Sequence, residues 1–168
     1  PGVSQGPEIK QLIPGQTLKR GESFVGKFQV PFSRTIEPIF NADTGVRLYP
    51  SKYGGVWHSI KDESTYKIIE DFCERYRSTV FVNDFLALSV ALDLNFEDNH
   101  DYTCVGQLEK DCKDNHNVKS LNQLVSIAED FLEKVPFYKD CSVIAAVPPR
   151  PGKTYDLPTK LVSELSNN

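Results

Sequence analysis

The loop at residues 148–154 gives the strongest chemical signal in the sequence. Its two cations, Arg150 and Lys153, lie on either side of Gly152, and the loop directly follows the apolar run 142–147. Cations and backbone amides at the carboxyl end of a buried strand are typical donors to phosphate or pyrophosphate groups. The alternative is a solvated connection stiffened by its prolines. The predicted phosphate-binding residues are Pro148, Pro149, Arg150, Gly152 and Lys153.

The same loop ends like a P-loop, whose pattern is G-x-x-x-x-G-K-[ST]. Residues 152–154 supply its last three positions, but Val147 occupies the place of the first glycine. Pro158 would also break the helix that must begin at this motif. The sequence therefore excludes a P-loop.

A second candidate surface is a stretch of alternating aromatic and basic residues in the first half of the chain. Tyr49, Tyr53 and Trp57 are interleaved with Arg47 and Lys52. Aromatic rings beside cations bind nucleotide bases or single-stranded nucleic acid. In an antiparallel strand they could instead point into the core. This stretch makes the first half the candidate site for a protein or nucleic-acid partner.

The histidines and cysteines indicate no metal site, and no catalytic residue is identified. The four cysteines include no C-x-x-C pair, which disfavours structural zinc. We interpret them as small buried thiols in a reducing compartment, the cytoplasm, with two disulfides as the alternative. The histidines are too far apart in sequence to define a site. The three histidines are His58, His100 and His116, and the four cysteines are Cys73, Cys104, Cys112 and Cys141.

Length and charge limit the class of protein. The chain has 168 residues and a formal net charge of −4, enough for one compact domain or two small ones. A mildly acidic chain is a poor candidate for non-specific binding of DNA or anionic membranes, and no apolar run is long enough to span a bilayer. Because residue 1 is not Met, we expect a processed end or part of a longer protein.

Apolar periodicity predicts three regions. Residues 1–21 are expected to be an irregular arm, and residues 22–100 a β-rich part followed by helices. Residues 101–168 are expected to form an α/β segment in which a capped helix, a buried parallel strand, the basic loop and a last helix follow one another. Further strands are predicted within 23–32, 46–49, 56–60, 79–82 and at 142–147, and helices from Asp62 or Ser64 to about Tyr76, over 84–94 and 105–113, from Ser120 to Pro136, and from about Pro158. The predicted fold class is therefore α/β, with α+β as the alternative.

An ordered series of short motifs runs through the second half. Thr103-x-x-Gly106-Gln107-Leu108 is followed by Cys112-Lys113, then by a capped helix, and then by Tyr138-Lys139-Asp140. The run 142–149 ends in Val-Pro-Pro, and Leu157-Pro158-x-x-Leu161 opens the next helix. Over about residues 102–165 this series resembles the amino-terminal half of ComF-type phosphoribosyltransferases.

The resemblance implies the start of a type I phosphoribosyltransferase domain. It implies that the loop lines the pyrophosphate side of a 5-phosphoribosyl-1-pyrophosphate (PRPP) site, with Lys113 as a further candidate and magnesium bound once the site is complete. The family's acidic PRPP strand and its four-cysteine finger have no counterpart here, so we expect no turnover from this chain alone. The alternatives are a non-catalytic binding or regulatory module that uses the first half, and a complete small domain whose similarity is accidental.

Overall fold

The computed structural model describes residues 6–167, which form an α+β fold with antiparallel sheets. The chain divides into two compact units, unit 1 up to Ala91 and unit 2 from Leu92 onward. The boundary predicted after residue 100 lies slightly further along the chain. Of the predicted irregular arm, residues 1–5 lie outside the described residues.

Unit 1 contains short strands and two helices. Its strands are β1 (Glu8–Lys10), β2 (Leu18–Arg20), β3 (Gly26–Val30), β4 (Tyr49–Pro50), β5 (Val56–Ile60), β6 (Val80–Asn83) and β7 (Val90–Ala91), and its helices are α1 (Ile36–Thr44) and α2 (Glu63–Arg75).

The larger sheet of unit 1 has the order β2-β3-β5-β4 and is antiparallel throughout. Alternation along β3 buries Phe28 and Val30 on one face. The ring of Phe28 lies 4.6 Å from that of Phe40 in α1, which in turn lies 5.0 Å from Phe72 in α2. The two helices therefore cover one face of this sheet, and packing of aromatic rings forms the core between them.

The smaller sheet has the order β1-β6-β7 and is joined to α1 through Thr35. The Thr35 hydroxyl donates to the carbonyl of Val82 at 2.9 Å and accepts from the amide of Ser89 at 3.2 Å. These bonds hold Thr35 at a φ of 67°, which β-branched residues rarely adopt.

Two predictions for unit 1 differ from the structure, and one helix was not predicted. Strands β1 and β2 lie within the predicted irregular arm, because they pair with distant strands. The helix predicted over 84–94 is wrong: the carboxylate of Asp84 accepts from the amide of Leu86 at 2.8 Å and favours a turn, and β7 follows. Helix α1 was not predicted; it ends at Gly45, whose φ is 67°.

Unit 2 is built mainly from helices packed around a small apolar core. The helices are α3 (Cys104–Asn115), α4 (Val118–Lys134), α5 (Pro136–Lys139) and α6 (Leu157–Leu165). Helix α4 begins before the predicted Ser120, because Asn117 is the N-cap and its side chain accepts from the amide of Lys119 at 2.9 Å. The buried residues that pack together in this core are Cys112, Leu121, Leu124, Val125 and Leu157.

The predicted buried parallel strand at 142–147 is wrong. The segment forms no strand, and Val143 and Val147 are 80% and 78% exposed. A strand requires a neighbour that supplies hydrogen-bond partners. Within the described part of unit 2 the only β-type pairing is an isolated bridge between Phe96 and Tyr102. The apolar composition of the segment favours a strand, but no neighbouring strand in the described part of unit 2 pairs with it.

Candidate functional site

The face of the larger sheet opposite the helices brings aromatic, basic and amide side chains together. Tyr49 is the direct register partner of Trp57, and Trp57 is the partner of Gln29 on its other side. Lys27 and Ser59 form the next pair along the same strands. Residues paired across a sheet share a face, so these five residues form one surface, which we call the outer sheet face.

The aromatic side chains of this region are not core residues. Tyr49 is 49% exposed, Tyr53 is 83% exposed, and Trp57 is half-buried. Tyr53 lies in the turn between β4 and β5 rather than in a strand. The rings therefore do not point into the core, which corrects the interpretation that antiparallel strands would bury them.

Each of these rings has a cation beside it. The Lys27 ammonium lies 5.3 Å from the centre of the Trp57 ring, and the Lys52 ammonium lies 4.9 Å from that of Tyr53. The Arg47 guanidinium lies 5.6 Å from the centre of the Tyr49 ring. Distances below about 6 Å give attraction between the cation and the ring face. A cation therefore lies over one face of each of the three rings.

The electrostatics of this sheet differ from those of the whole chain. Strands β2, β3, β4 and β5 contain no Asp or Glu, although the chain has a net charge of −4. Lys19 is the register partner of Lys27 and extends the positive surface onto β2. Arg20 does not add to it, because its guanidinium contacts both carboxylate oxygens of Glu63, which raises the Arg20 pKa.

The turn that presents Tyr53 is fixed by a glycine. Gly55 has a φ of 71°, and a Cβ atom placed there would lie 2.2 Å from the carbonyl oxygen of Val30. The amide of Ser51 donates to the Gly55 carbonyl at 3.0 Å and closes the turn. Only glycine allows this close approach of the turn to the end of β3.

His58 contacts the aromatic residues but is not part of the outer sheet face. Its Nδ1 lies 2.9 Å from the carbonyl oxygen of Arg47, and its ring is stacked 6.3 Å from the ring of Tyr49. The imidazole is half-buried, as expected for a histidine in a strand. It therefore holds the segment that positions Arg47 and Tyr49.

The predicted phosphate-binding loop is dispersed in the structure. Gly152 and Lys153 line a cleft of about 490 Å³ in unit 2, together with Lys113. Pro148, Pro149 and Arg150 are exposed and are not among the residues that line it.

The remainder of this cleft is aromatic and acidic. The His116 and Tyr155 rings are stacked at 4.1 Å, and burial raises the pKa of the Tyr155 hydroxyl. Asp156 also lines the cleft, and hydrogen bonds from the Thr159 hydroxyl and amide hold its pKa below the usual value. The cleft therefore joins two lysines with two carboxylates, those of Asp114 and Asp156.

The cysteines are free thiols, and two of the four are buried. Burial raises the pKa of Cys73 to about 12 and also raises that of Cys112, so neither thiol is a poised nucleophile at neutral pH. Cys104 and Cys141 are exposed, which corrects the expectation that all four are buried.

Residues 6–167 bring no three His, Cys, Asp or Glu side chains together as a metal site. Among the same residues, no helix has the length and apolar character needed to cross a bilayer.

The chain matches no known family model, curated protein or solved structure.

Lys27 and Gln29 are the site residues that the sequence did not identify. The alternation in 23–32 places them on the same side of β3, opposite Phe28. Only the register between β3 and β5 brings Gln29 beside Trp57. The sequence thus indicated that these residues lie on the polar face of a predicted strand, but it did not indicate that β5 pairs with that strand.

Proposed function

We propose that unit 1 binds single-stranded nucleic acid on the outer sheet face. The observation that supports this proposal is the direct pairing of Tyr49 with Trp57 on an accessible sheet face, with a cation beside each ring. This arrangement supplies two adjacent stacking platforms. It also supplies the positive charge that a nucleic-acid backbone requires.

Binding would use two physical contributions. Successive bases stack on Trp57 and Tyr49, and each base stacked on an aromatic ring contributes roughly 1–3 kcal/mol. Lys27 and Arg47, together with Lys52 in the neighbouring turn, contact phosphates and release counterions. The stacking part does not depend strongly on salt, whereas the phosphate part does.

The geometry favours a single strand over a duplex. The rings on the outer sheet face can stack only on a base that is not already stacked between other bases. In a duplex that base face is already stacked on its neighbours, and unstacking costs a few kcal/mol per step. Single strands present unstacked bases, which aromatic side chains on a sheet accept directly.

The salt dependence of binding tests this proposal. We expect the affinity for a fluorescein-labelled oligonucleotide to fall with salt, and Lys27→Ala to weaken binding and reduce the log–log slope by about 0.7, the value for one phosphate contact to a single strand. The matched control is Lys110→Ala, which removes a cation 4.8 Å from the ring of Tyr102 in unit 2. Anisotropy titrations at several salt concentrations provide the measurement. Equal slopes for Lys27→Ala and the unaltered protein would contradict the role given to Lys27.

A second candidate function is supported by the cleft in unit 2. We propose that it binds a phosphorylated small molecule such as PRPP, because Lys113 and Lys153, far apart in sequence, line it together with Gly152. Two ammonium groups and a backbone amide are suitable donors to phosphate. Lys113 also pairs with Glu109, so Lys153 is the freer of the two cations. Magnesium belongs to this proposal only as the ion that accompanies a diphosphate, and no transfer reaction is proposed for this chain alone.

Lys153→Ala tests the second candidate. Loss of one charge-assisted hydrogen bond, worth about 1.5–3 kcal/mol, should weaken PRPP binding by roughly tenfold or more. Lys160→Ala in α6 is the control, since Lys160 is exposed and does not line the cleft. Calorimetric titration with PRPP is the measurement. Unchanged affinity in Lys153→Ala would remove the cleft from consideration as the PRPP site.

We also propose a cellular compartment for the protein. We place the protein in the cytoplasm because its four cysteines are free thiols, and thiols stay reduced there.

A further inference from the structure

A base stacked on Trp57 would have the Gln29 side chain beside it, in addition to the ammonium group of Lys27. Gln29 is the register partner of Trp57, and cross-strand partners have Cβ atoms about 4.5–5.5 Å apart. The main-chain amide of Gln29 donates to the carbonyl of Thr17 at 2.9 Å, which fixes the backbone at this position. Gln29 thus stands at a set distance from the platform on which the base rests.

The Gln29 amide is available to a ligand. Its side chain is half-buried on the outer sheet face and forms no hydrogen bond to another described residue. A primary amide has one acceptor oxygen and two N–H donors in a plane. On the other side of Trp57 stands the ring of Tyr49, which offers stacking rather than edge recognition.

We infer that Gln29 reads the edge of the base stacked on Trp57 and gives the site a preference for adenine. This inference rests on the proposed binding of single-stranded nucleic acid. Adenine has an amino donor at N6 between the acceptors N1 and N7, so a glutamine amide can form two hydrogen bonds with either edge. A bidentate pair of an amide with N6 and N7 is the usual recognition of adenine by Gln.

The other bases match this arrangement less well. Guanine places two acceptors, N7 and O6, on its Hoogsteen edge, where an amide oxygen would face another oxygen, so it can pair with the amide only through O6 and N1–H of its Watson–Crick edge. Cytosine and uracil offer a match on one edge only and stack over a smaller ring area. The combination of a large indole platform with a neighbouring amide therefore favours a purine with an amino group at position 6.

The test compares oligonucleotides that differ in one functional group. An oligonucleotide of adenosines is compared with one of purine nucleosides that lack the 6-amino group, so that the stacking area is nearly unchanged. We expect the unaltered protein to bind the adenosine oligonucleotide about tenfold more tightly, within the discrimination typical of one bidentate contact. Fluorescence anisotropy at one fixed salt concentration provides both affinities.

Gln29→Met tests whether Gln29 causes the preference for adenine, because Met has a similar volume but no amide. We expect the ratio of the two affinities to fall to about one, while binding of the oligonucleotide without amino groups stays within about twofold. Gln123→Met, the same change at an exposed position of α4 in unit 2, is the control and should retain the ratio.

The outcomes separate this inference from the proposed function. If the unaltered protein binds both oligonucleotides equally, or if Gln29→Met keeps the preference, the role of Gln29 is overturned while binding to the outer sheet face stands. If neither oligonucleotide binds, the proposed function itself fails, and this inference fails with it.

Discussion

Replacing Trp57 by Leu and Tyr49 by Ser in one protein should weaken binding of a single-stranded oligonucleotide by about a hundredfold or more. Each ring is a stacking platform worth roughly 1–3 kcal/mol per base, and a factor of ten in affinity corresponds to about 1.4 kcal/mol. Because the two residues are register partners, we expect their rings to stack neighbouring bases of the same strand. The measurement is the dissociation constant by fluorescence anisotropy.

The substitutions are chosen so that the fold survives. Tyr49 is 49% exposed, and Leu at position 57 keeps an apolar side chain at a half-buried position. The pair Trp57→Phe and Tyr49→Phe retains the rings and should retain most of the affinity. Phe85→Ala removes a ring that is 89% exposed in a different loop of unit 1 and should have no effect. Equal losses for Phe85→Ala and the double variant would contradict the proposed site.

Gly106→Ala should destabilise unit 2 strongly, by about 3 kcal/mol or more, the upper range for forcing atoms into a packed site. A Cβ atom at this position in α3 would lie 2.1 Å from the carbonyl oxygen of Asn95. That carbonyl cannot easily move, because it accepts from the amide of Thr103 at 3.1 Å. The Thr103 hydroxyl also donates to the carbonyl of Leu94 and caps α3. Urea denaturation followed by circular dichroism at 222 nm measures the change.

The neighbouring substitution Gln107→Ala provides the control for this prediction. Gln107 is exposed in the same helix, and Ala has the higher helix propensity, so the midpoint should change little. Trp57, the single tryptophan of the chain, lies in unit 1, whose own buried core should keep its fluorescence native in Gly106→Ala. A Gly106→Ala protein as stable as Gln107→Ala would show that α3 does not approach Asn95 as described.

Local sequence patterns predicted elements whose signals lie within the element itself. The strand at 56–60 and the helix that begins after Asp62 appear as predicted, and Asp62 accepts from the amide of Thr65 at 2.8 Å. The last helix begins at Leu157 beside Pro158, a residue suited to the first turn. Alternation, capping residues and proline positions determine such elements without distant partners.

Elements that depend on distant partners were not predictable in the same way. Strand β1 forms only because β6 pairs with it, and nothing in Glu8–Lys10 indicates that partner. The segment at 142–147 shows the converse, since its β-branched and apolar residues fit a strand but no sheet in the described part of unit 2 receives it.

The candidate site was predictable to the extent that it follows one stretch of sequence. Tyr49, Tyr53 and Trp57 were recognised because they alternate with basic residues over a short interval. Lys27 and Gln29 join them only through the register of β3 against β5, which no local pattern specifies. The predicted phosphate loop shows the opposite result, because its residues are adjacent in sequence but only Gly152 and Lys153 line one cleft.

The intrinsic fluorescence of Trp57 reports directly on stacking at the outer sheet face, because it is the only tryptophan and forms part of the proposed stacking surface. Titration with a short single-stranded oligonucleotide at low salt should give saturable quenching as a base stacks on the indole. Annealing the complementary strand should abolish most of that quenching. Unchanged Trp57 emission throughout the single-strand titration would contradict stacking on the outer sheet face.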